Sequence, residues 1–75
     1  MLSKELFGQR LFEIRKRNNE TQEQLGNAIG LAKSRISELE KGKLTTTAEK
    51  IVLICEHYKI SSDYLLGLSD DPAPR

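Results

Sequence analysis

Residues 21–43, TQEQLGNAIGLAKSRISELEKGK, constrain the fold of this chain more than any other stretch. Two short helical periodicities stand on either side of a glycine. A small residue, Gly26, lies four positions after Gln22, and Gly30 lies eight positions after it. The apolar positions at +3, +7, +9, +14 and +17 from Gln22 are Leu25, Ile29, Leu31, Ile36 and Leu39. This spacing predicts a helix-turn-helix, because the small residue lets two helices cross closely and the glycine takes the tight turn.

Length and composition limit the classes of protein to which the chain can belong. Its 75 residues make one small domain, which buries only about 60% of its unfolded surface. A hydrophobic share of 37% and a charged share of 31% are ordinary for a globular domain. A single cysteine excludes an internal disulfide framework and favours a cytoplasmic protein. The longest apolar run, residues 51–55, is far shorter than the roughly 18 residues of a membrane span, and no secretory signal is visible.

Positive charge is concentrated in one half of the chain. Residues 1–43 contain nine Lys/Arg and six Asp/Glu, a net charge of +3. Residues 44–75 contain three and five, a net charge of −2, so the whole chain carries +1. The half that contains the predicted helix-turn-helix is therefore the basic half, as binding to a phosphate backbone requires.

No stretch shows the alternation of a β-strand, so we expect an all-α fold of five short helices. Helix one is predicted over residues 3–17, with Ser3 as its N-cap and with Leu2 and Phe7 as a hydrophobic staple. Phe7 also begins the apolar stripe of this helix, which continues with Leu11 and Ile14.

Capping signals delimit the next two helices. Helix two begins after Thr21, because Thr21-x-x-Gln24 matches a capping box, and it stops at Gly30. Helix three is predicted over residues 33–41 and ends at Gly42, which suits a left-handed C-terminal position.

Two further helices follow a polar loop. Thr47 caps helix four, whose apolar face consists of Ile51, Ile54, Cys55 and Tyr58. A short fifth helix is capped by Ser61 or Ser62, and its Leu65 is expected to turn inward.

Five helices with the helix-turn-helix as the second and third resemble the Cro/lambda-repressor-type family, also called the xenobiotic-response-element family. The resemblance covers residues 7–67, and its carriers are Arg15, Thr21-Gln22, Leu25, Gly30, Ile36-Ser37, Leu39-Glu40-x-Gly42-Lys43 and Ile60-Ser61-x-Asp63-Tyr64-Leu65-Leu66-Gly67. It implies a compact lambda-repressor-like DNA-binding domain over residues 1–69, followed by a polar tail or the start of a linker over residues 70–75.

Three positions depart from the pattern of that family. Ala32 stands where a Ser or Thr cap is usual, so helix three lacks a side-chain cap. Gly26 replaces the usual alanine, at roughly 1 kcal/mol of helix propensity. Lys59 stands where glycine is favoured, which predicts a positive φ. These departures concern stability more than function.

The polar face of helix three is the predicted surface for base contacts. At about 100° per residue, Ile36, Leu39 and Ala32 are predicted on the opposite, buried side. The N-terminal half of a recognition helix reaches base edges in the major groove, so the candidates are Lys33, Ser34, Ser37 and Glu38. A lysine can donate to guanine O6/N7 and a glutamate can accept from cytosine N4. The alternative is an ordinary solvated face.

Phosphate contacts are predicted from helix two and from scattered cations. Gln22 opens helix two, where free backbone amides favour an anion, and the resemblance implies that its side chain contacts the DNA backbone. Looser candidates are Arg10, Arg17, Arg35 and Lys43, for which a solvated charge is the alternative.

Arg15 and Glu40 are predicted to form a structural ion pair. Glu40 lies toward the buried edge of helix three, and an isolated buried carboxylate needs a partner. Arg15 on helix one fits that role, as the corresponding pair does in the family.

Catalysis is not expected from this sequence. His57 and Cys55 are two residues apart on one helix and point in different directions, so they assemble neither a zinc set nor a nucleophile with its base. We therefore expect no enzyme activity, no metal and no cofactor, and the sequence identifies no small-molecule ligand.

The predicted function is that of a transcriptional regulator, more specifically a repressor that binds a palindromic DNA operator as a homodimer. The small chain offers little surface for an interface, so the homodimer can be one that forms only on DNA. By resemblance, Leu66 and Leu68 are candidates for the dimer interface. Two alternatives stay open: a protein-interaction module on the same fold, and the antitoxin-type regulator of a toxin–antitoxin pair.

Overall fold

A computed structural model describes residues 3–73 of the chain, and these residues form five α-helices without a β-strand. The helices are α1 Lys4–Arg17, α2 Gln22–Ile29, α3 Lys33–Glu40, α4 Ala48–Tyr58 and α5 Ser62–Leu65. The predicted all-α, five-helix fold is therefore confirmed. No helix within the described residues has the length and apolar character needed to cross a membrane. Leu2 of the predicted staple and the last two positions of the tail lie outside the described residues.

Side-chain caps begin four of the five helices, as the sequence predicts. Ser3 Oγ accepts from the Leu6 amide, and Thr21 forms the complete capping box with Gln24. The hydroxyls of Thr47 and Ser61 cap α4 and α5. The exception is α3, which begins after Ala32 and has no side-chain cap.

One apolar core joins all five helices. The residues that are fully buried in it are Phe7, Leu11, Leu25, Ile36, Leu39, Ile54 and Leu65. Ile36 and Leu39 are the α3 members of this core, packed among side chains of α1 and α2. Because these two residues face inward, the opposite side of α3 is left to solvent. Ala32, predicted on the buried side, is exposed because it lies before the first turn of α3.

Two glycines allow close backbone approaches. A Cβ on Gly8 would overlap the Leu39 carbonyl oxygen and lie 2.9 Å from that of Glu40, so α1 and α3 touch through Gly8. A Cβ on Gly26 would overlap the carbonyl oxygen of Leu31 in the turn. Gly26 therefore acts as the small residue that the predicted helix-turn-helix requires, since the turn packs where a methyl group would stand.

Backbone conformation matches the sequence at three other positions. Gly30 ends α2 with φ +78° and Gly42 follows α3 with φ +74°. Lys59, which the sequence predicts at positive φ, has φ +56°.

Hydrogen bonds join the first residues of the tail, and Ser69 before it, to the helices. The Ser61 amide donates to the Pro72 carbonyl oxygen at 3.0 Å, and Arg10 donates to the Ser69 carbonyl oxygen and to Asp70, each at 2.8 Å. Contacts with the helices thus continue into residues 70–72, the first part of the predicted polar tail.

Candidate nucleic-acid interface

The turn between α2 and α3 fixes the direction in which α3 faces. The Gly30 and Leu31 amides both donate to the Gly26 carbonyl oxygen, at 2.8 and 2.9 Å, which closes the turn tightly. Lys50 adds a further restraint from α4, because its Nζ donates to the Ile29 carbonyl oxygen at 2.7 Å. This last contact joins residues 21 positions apart and was not predicted from the sequence.

The four candidates for base contacts lie on the outward side of α3. Lys33, Ser34 and Glu38 are exposed, and Ser37 is half-buried. Among residues 3–73, no hydrogen bond or ion pair engages the side chain of any of the four. Their donors and acceptors are therefore available to an external partner.

A cleft of about 620 Å³ adjoins this face at the beginning of α2. It is lined by Arg15, Lys16, Asn19, Glu20, Thr21, Gln22 and Lys33. The cleft thus brings Gln22, predicted to contact phosphate, beside Lys33, predicted to contact a base. The Gln22 side chain is itself held in place by Glu40, because Gln22 Nε2 donates to Glu40 Oε1 at 3.0 Å.

Arg15 and Glu40 form a buried, two-pronged ion pair. Arg15 Nε lies 2.6 Å from Glu40 Oε2, and Arg15 Nη2 lies 3.0 Å from Oε1. The two side chains are 7% and 4% exposed. The hydrogen bond to Glu40 raises the pKa of Arg15 above its ordinary value, so the guanidinium stays charged. Arg15 Nη1 also donates to the Glu20 carbonyl oxygen at 2.6 Å, which fixes the loop before α2.

The cations predicted to contact phosphate divide into two groups. Arg17, Arg35 and Lys43 are exposed. Arg10 is different, contrary to the prediction: its side chain is only 12% exposed, and its guanidinium carbon lies 4.3 Å from the centre of the Tyr64 ring. Arg10 also donates to the Tyr64 and Ser69 carbonyl oxygens and to Asp70. Its donors are committed within the domain, so Arg10 anchors the C-terminal end of the domain.

A cluster around Glu20 was not predicted from the sequence. Tyr58 Oη donates to Glu20 Oε1 and His57 Nε2 lies beside Oε2, both at 2.7 Å. Burial, followed by the hydrogen bond to Glu20, raises the pKa of Tyr58 far above its ordinary value of 10.0. The cluster ties the end of α4 to the loop before α2, across more than 35 positions of sequence.

The last candidates are Leu66 and Leu68, predicted at the dimer interface, and Cys55. Leu66 is half-buried and Leu68 is 75% exposed, just after α5. Cys55 is half-buried, and burial raises the pKa of its thiol, which disfavours the nucleophilic thiolate. Within residues 3–73, no group of three His, Cys, Asp or Glu side chains is arranged to hold a metal ion.

Comparison with known proteins assigns the class. The helix-turn-helix family model matches residues 11–65, more than half of the chain. The chain therefore belongs to the helix-turn-helix family of the Cro/CI type, a family of DNA-binding transcriptional regulators and not of enzymes.

Individual relatives agree with this class. The chain is 40% identical over 70 residues to the uncharacterized HTH-type transcriptional regulator YobD of Bacillus subtilis (strain 168), covering 93% of this chain and 62% of that protein. The chain thus spans less than two thirds of the length of this curated relative.

Solved structures share the fold. The P22 c2 repressor in complex with synthetic operator 9T superposes with a TM-score of 0.80 at 28% identity, covering 85% of this chain and 97% of that one. The restriction-modification controller protein C.AhdI of Aeromonas hydrophila superposes with a TM-score of 0.76 at 29% identity, covering 83% and 94%.

Proposed function

We propose that this chain is a cytoplasmic repressor that binds a specific double-stranded DNA operator through the outward face of α3. The observation that carries the proposal is that four polar side chains of α3 are available to bind a partner. We call these four residues the reading face: Lys33, Ser34, Ser37 and Glu38. These side chains share one face, and no partner within residues 3–73 engages them. Ile36 and Leu39 are fully buried on the other side, which sets the face at a fixed angle to the domain.

Each side chain of this face has a base to which it is suited. Lys33 can donate to guanine O6 or N7, and Glu38 can accept from cytosine N4. Ser34 and Ser37 carry hydroxyls that both donate and accept, so they suit several bases. The reading face therefore favours sites that contain G·C pairs.

The backbone of DNA would be held by Gln22 and by three exposed cations. Gln22 lies at the start of α2, where free amides and the helix dipole favour a phosphate. The exposed cations Arg17, Arg35 and Lys43 supply charge. Arg10 is left out of this set, because its donors are occupied inside the domain.

Repression and a two-fold operator complete the proposal. Repression needs only occupancy of a promoter, and the P22 c2 repressor, which shares the fold, is described on a synthetic operator. We propose that two copies bind a palindrome, with Leu66 and Leu68 at the contact between them. A protein-interaction module is disfavoured, because such surfaces usually bury aromatic or aliphatic anchors and the outward face of α3 has none.

Selection of bound sites from random duplex DNA tests this proposal. We expect a palindromic consensus, and a gel-shift titration should show binding that weakens as the salt concentration rises. Recovery of no consensus, together with no salt-dependent binding, would mean that the chain does not read DNA.

Ser34→Ala then tests the reading face on the selected duplex. The variant should lose about 1–3 kcal/mol of binding free energy on the selected site. Binding to random duplex should hardly change, since the serine is neutral and adds nothing to counterion release. Equal losses on selected and random DNA would remove Ser34 from the set of base contacts.

A further inference from the structure

Gln22 and Glu40 make a contact that the Arg15–Glu40 pair does not need. Gln22 Nε2 donates to Glu40 Oε1 at 3.0 Å, joining residues 18 positions apart. Gln22 is the first residue of α2 and lines the cleft beside Lys33, whereas the Glu40 side chain is only 4% exposed. The contact therefore connects a buried carboxylate to Gln22, a residue of the surface proposed to bind DNA. That surface, the proposed DNA surface, consists of the four residues of the reading face, Gln22 and the cations Arg17, Arg35 and Lys43.

The chemistry of the pair fixes the orientation of the Gln22 amide. An ionised carboxylate only accepts hydrogen bonds, so the amide nitrogen and not its oxygen must face Glu40. One N–H is used on Glu40, and the second N–H remains for another acceptor. Glu40 cannot turn away, because Arg15 binds both of its oxygens, at 2.6 and 3.0 Å.

We infer that Glu40 is a positioning residue for DNA binding: it holds the Gln22 amide in place, with one N–H left for a backbone phosphate. This inference rests on the proposed function. A glutamine side chain is flexible, and ordering it at the moment of binding lowers affinity. Glu40 supplies that order in advance, so Glu40 influences the DNA backbone without touching it.

A double-mutant cycle of Gln22→Met, Glu40→Asp and the double variant tests the coupling. Methionine removes the amide but keeps the length of the side chain. Aspartate keeps a negative charge beside Arg15 but is one methylene shorter, so it withdraws from Gln22. We expect Gln22→Met and Glu40→Asp each to weaken binding to the selected duplex about ten-fold, and the double variant to be no weaker than either. The dependence of affinity on salt should stay unchanged, because no variant alters a charge.

A second Gln–Glu pair supplies the matched control. Gln9 Nε2 lies 3.3 Å from Glu13 Oε1 on the surface of α1, and neither residue belongs to the proposed DNA surface. Gln9→Met and Glu13→Asp should leave binding to the selected duplex unchanged. Losses that multiply in the Gln22/Glu40 double variant would overturn the inference while leaving the proposed function intact. Absence of salt-dependent binding by the wild type would overturn the proposed function and the inference with it.

The free wild-type protein offers a measurement that does not depend on any variant folding. The ¹⁵N heteronuclear NOE of the Gln22 side-chain amide reports its mobility before DNA is added. We expect a value close to that of the surrounding backbone, and clearly above that of Asn27, an exposed amide on the same helix. A Gln22 amide as mobile as that of Asn27 would overturn the inference.

Discussion

The carboxylate of Glu40 accepts hydrogen bonds from Arg15 and Gln22 at a place where only 4% of its side chain is exposed. Removing a charge from water is costly, and the cost is offset here because both oxygens are bound. Arg15 belongs to α1 and Glu40 lies at the end of α3, so the ion pair joins these two helices. Arg15 also donates to the Glu20 carbonyl oxygen, which adds the loop between α1 and α2. One ion pair thus fixes three segments around the start of α2.

Removing Arg15 should destabilise the protein strongly. Arg15→Ala leaves the Glu40 carboxylate buried without its cation, which costs about 3–5 kcal/mol in the free energy of unfolding. Lys16→Ala is the matched control, because Lys16 Nζ lies 5.8 Å from the centre of the Phe12 ring, much as the Arg15 guanidinium lies 5.4 Å from it. Lys16 makes no buried pair, so its loss should be nearly neutral. Equal stability of the two variants in urea denaturation would show that the pair contributes little.

Tyr58 should make the protein sensitive to alkaline pH. Its pKa is raised in the folded state, so the fold binds the phenolic proton more tightly than the unfolded chain does. Stability from this group is fully present below the unfolded pKa of about 10 and declines as the pH rises above it. Thermal melts at increasing pH should show a steeper alkaline loss for the wild type than for Tyr58→Phe. Parallel losses in the two proteins would contradict this role for Tyr58.

The turn between α2 and α3 depends on a residue that lies one helical turn earlier. Gly26 accepts from two turn amides and faces the Leu31 carbonyl oxygen so closely that a Cβ would overlap it. Gly8 likewise allows the backbones of α1 and α3 to come into close contact. Both glycines lie inside helices, where the loss of helix propensity is the cost of the close approach.

Gly26→Ala should therefore destabilise the protein, although alanine is the better helix former. The propensity gain is about 1 kcal/mol. The added methyl group would force the turn away from α2, and overpacking of this kind costs about 1–3 kcal/mol, so we expect a net loss. Asn27→Ala, at the next and exposed position of the same helix, controls for propensity alone. A melting temperature of Gly26→Ala above that of the wild type would show that the turn can move to make room for the methyl group at little cost.

Local signals account for what could be predicted from the sequence. The caps Ser3, Thr21 and Thr47 and the inward position of Leu39 follow from residues within one or two helical turns. The outward face of α3 follows from the same periodicity. Apart from the Arg15–Glu40 pair, the polar contacts between distant segments could not be predicted, and examples are the Glu20 cluster and the contacts of Arg10. No fixed spacing encodes them, because they depend on how the helices pack.

The size of the domain and the distribution of its charge agree with the proposal that two copies bind the operator. The domain measures 27 × 22 × 21 Å, which is less than one 34–36 Å turn of B-DNA, so a single copy faces only one stretch of major groove. The net charge of +3 over residues 1–43 and −2 over residues 44–75 places the acidic half in α4, α5 and the tail. The exposed Leu68 lies in this acidic half, away from the segment that carries the reading face.

Binding should therefore depend on the spacing between two half-sites. One α3 helix contacts too few base pairs to select a site from a genome, whereas two copies related by a two-fold axis double the contacts. Inserting half a helical turn of DNA between the half-sites rotates them to opposite faces of the duplex, and we expect this to abolish cooperative binding in a gel-shift titration. Leu68→Ser should weaken the cooperativity and leave binding to an isolated half-site unchanged, because Leu68 is 75% exposed and its loss does not disturb the core. An isolated half-site that binds as tightly as the full operator would identify the protein as a monomeric reader.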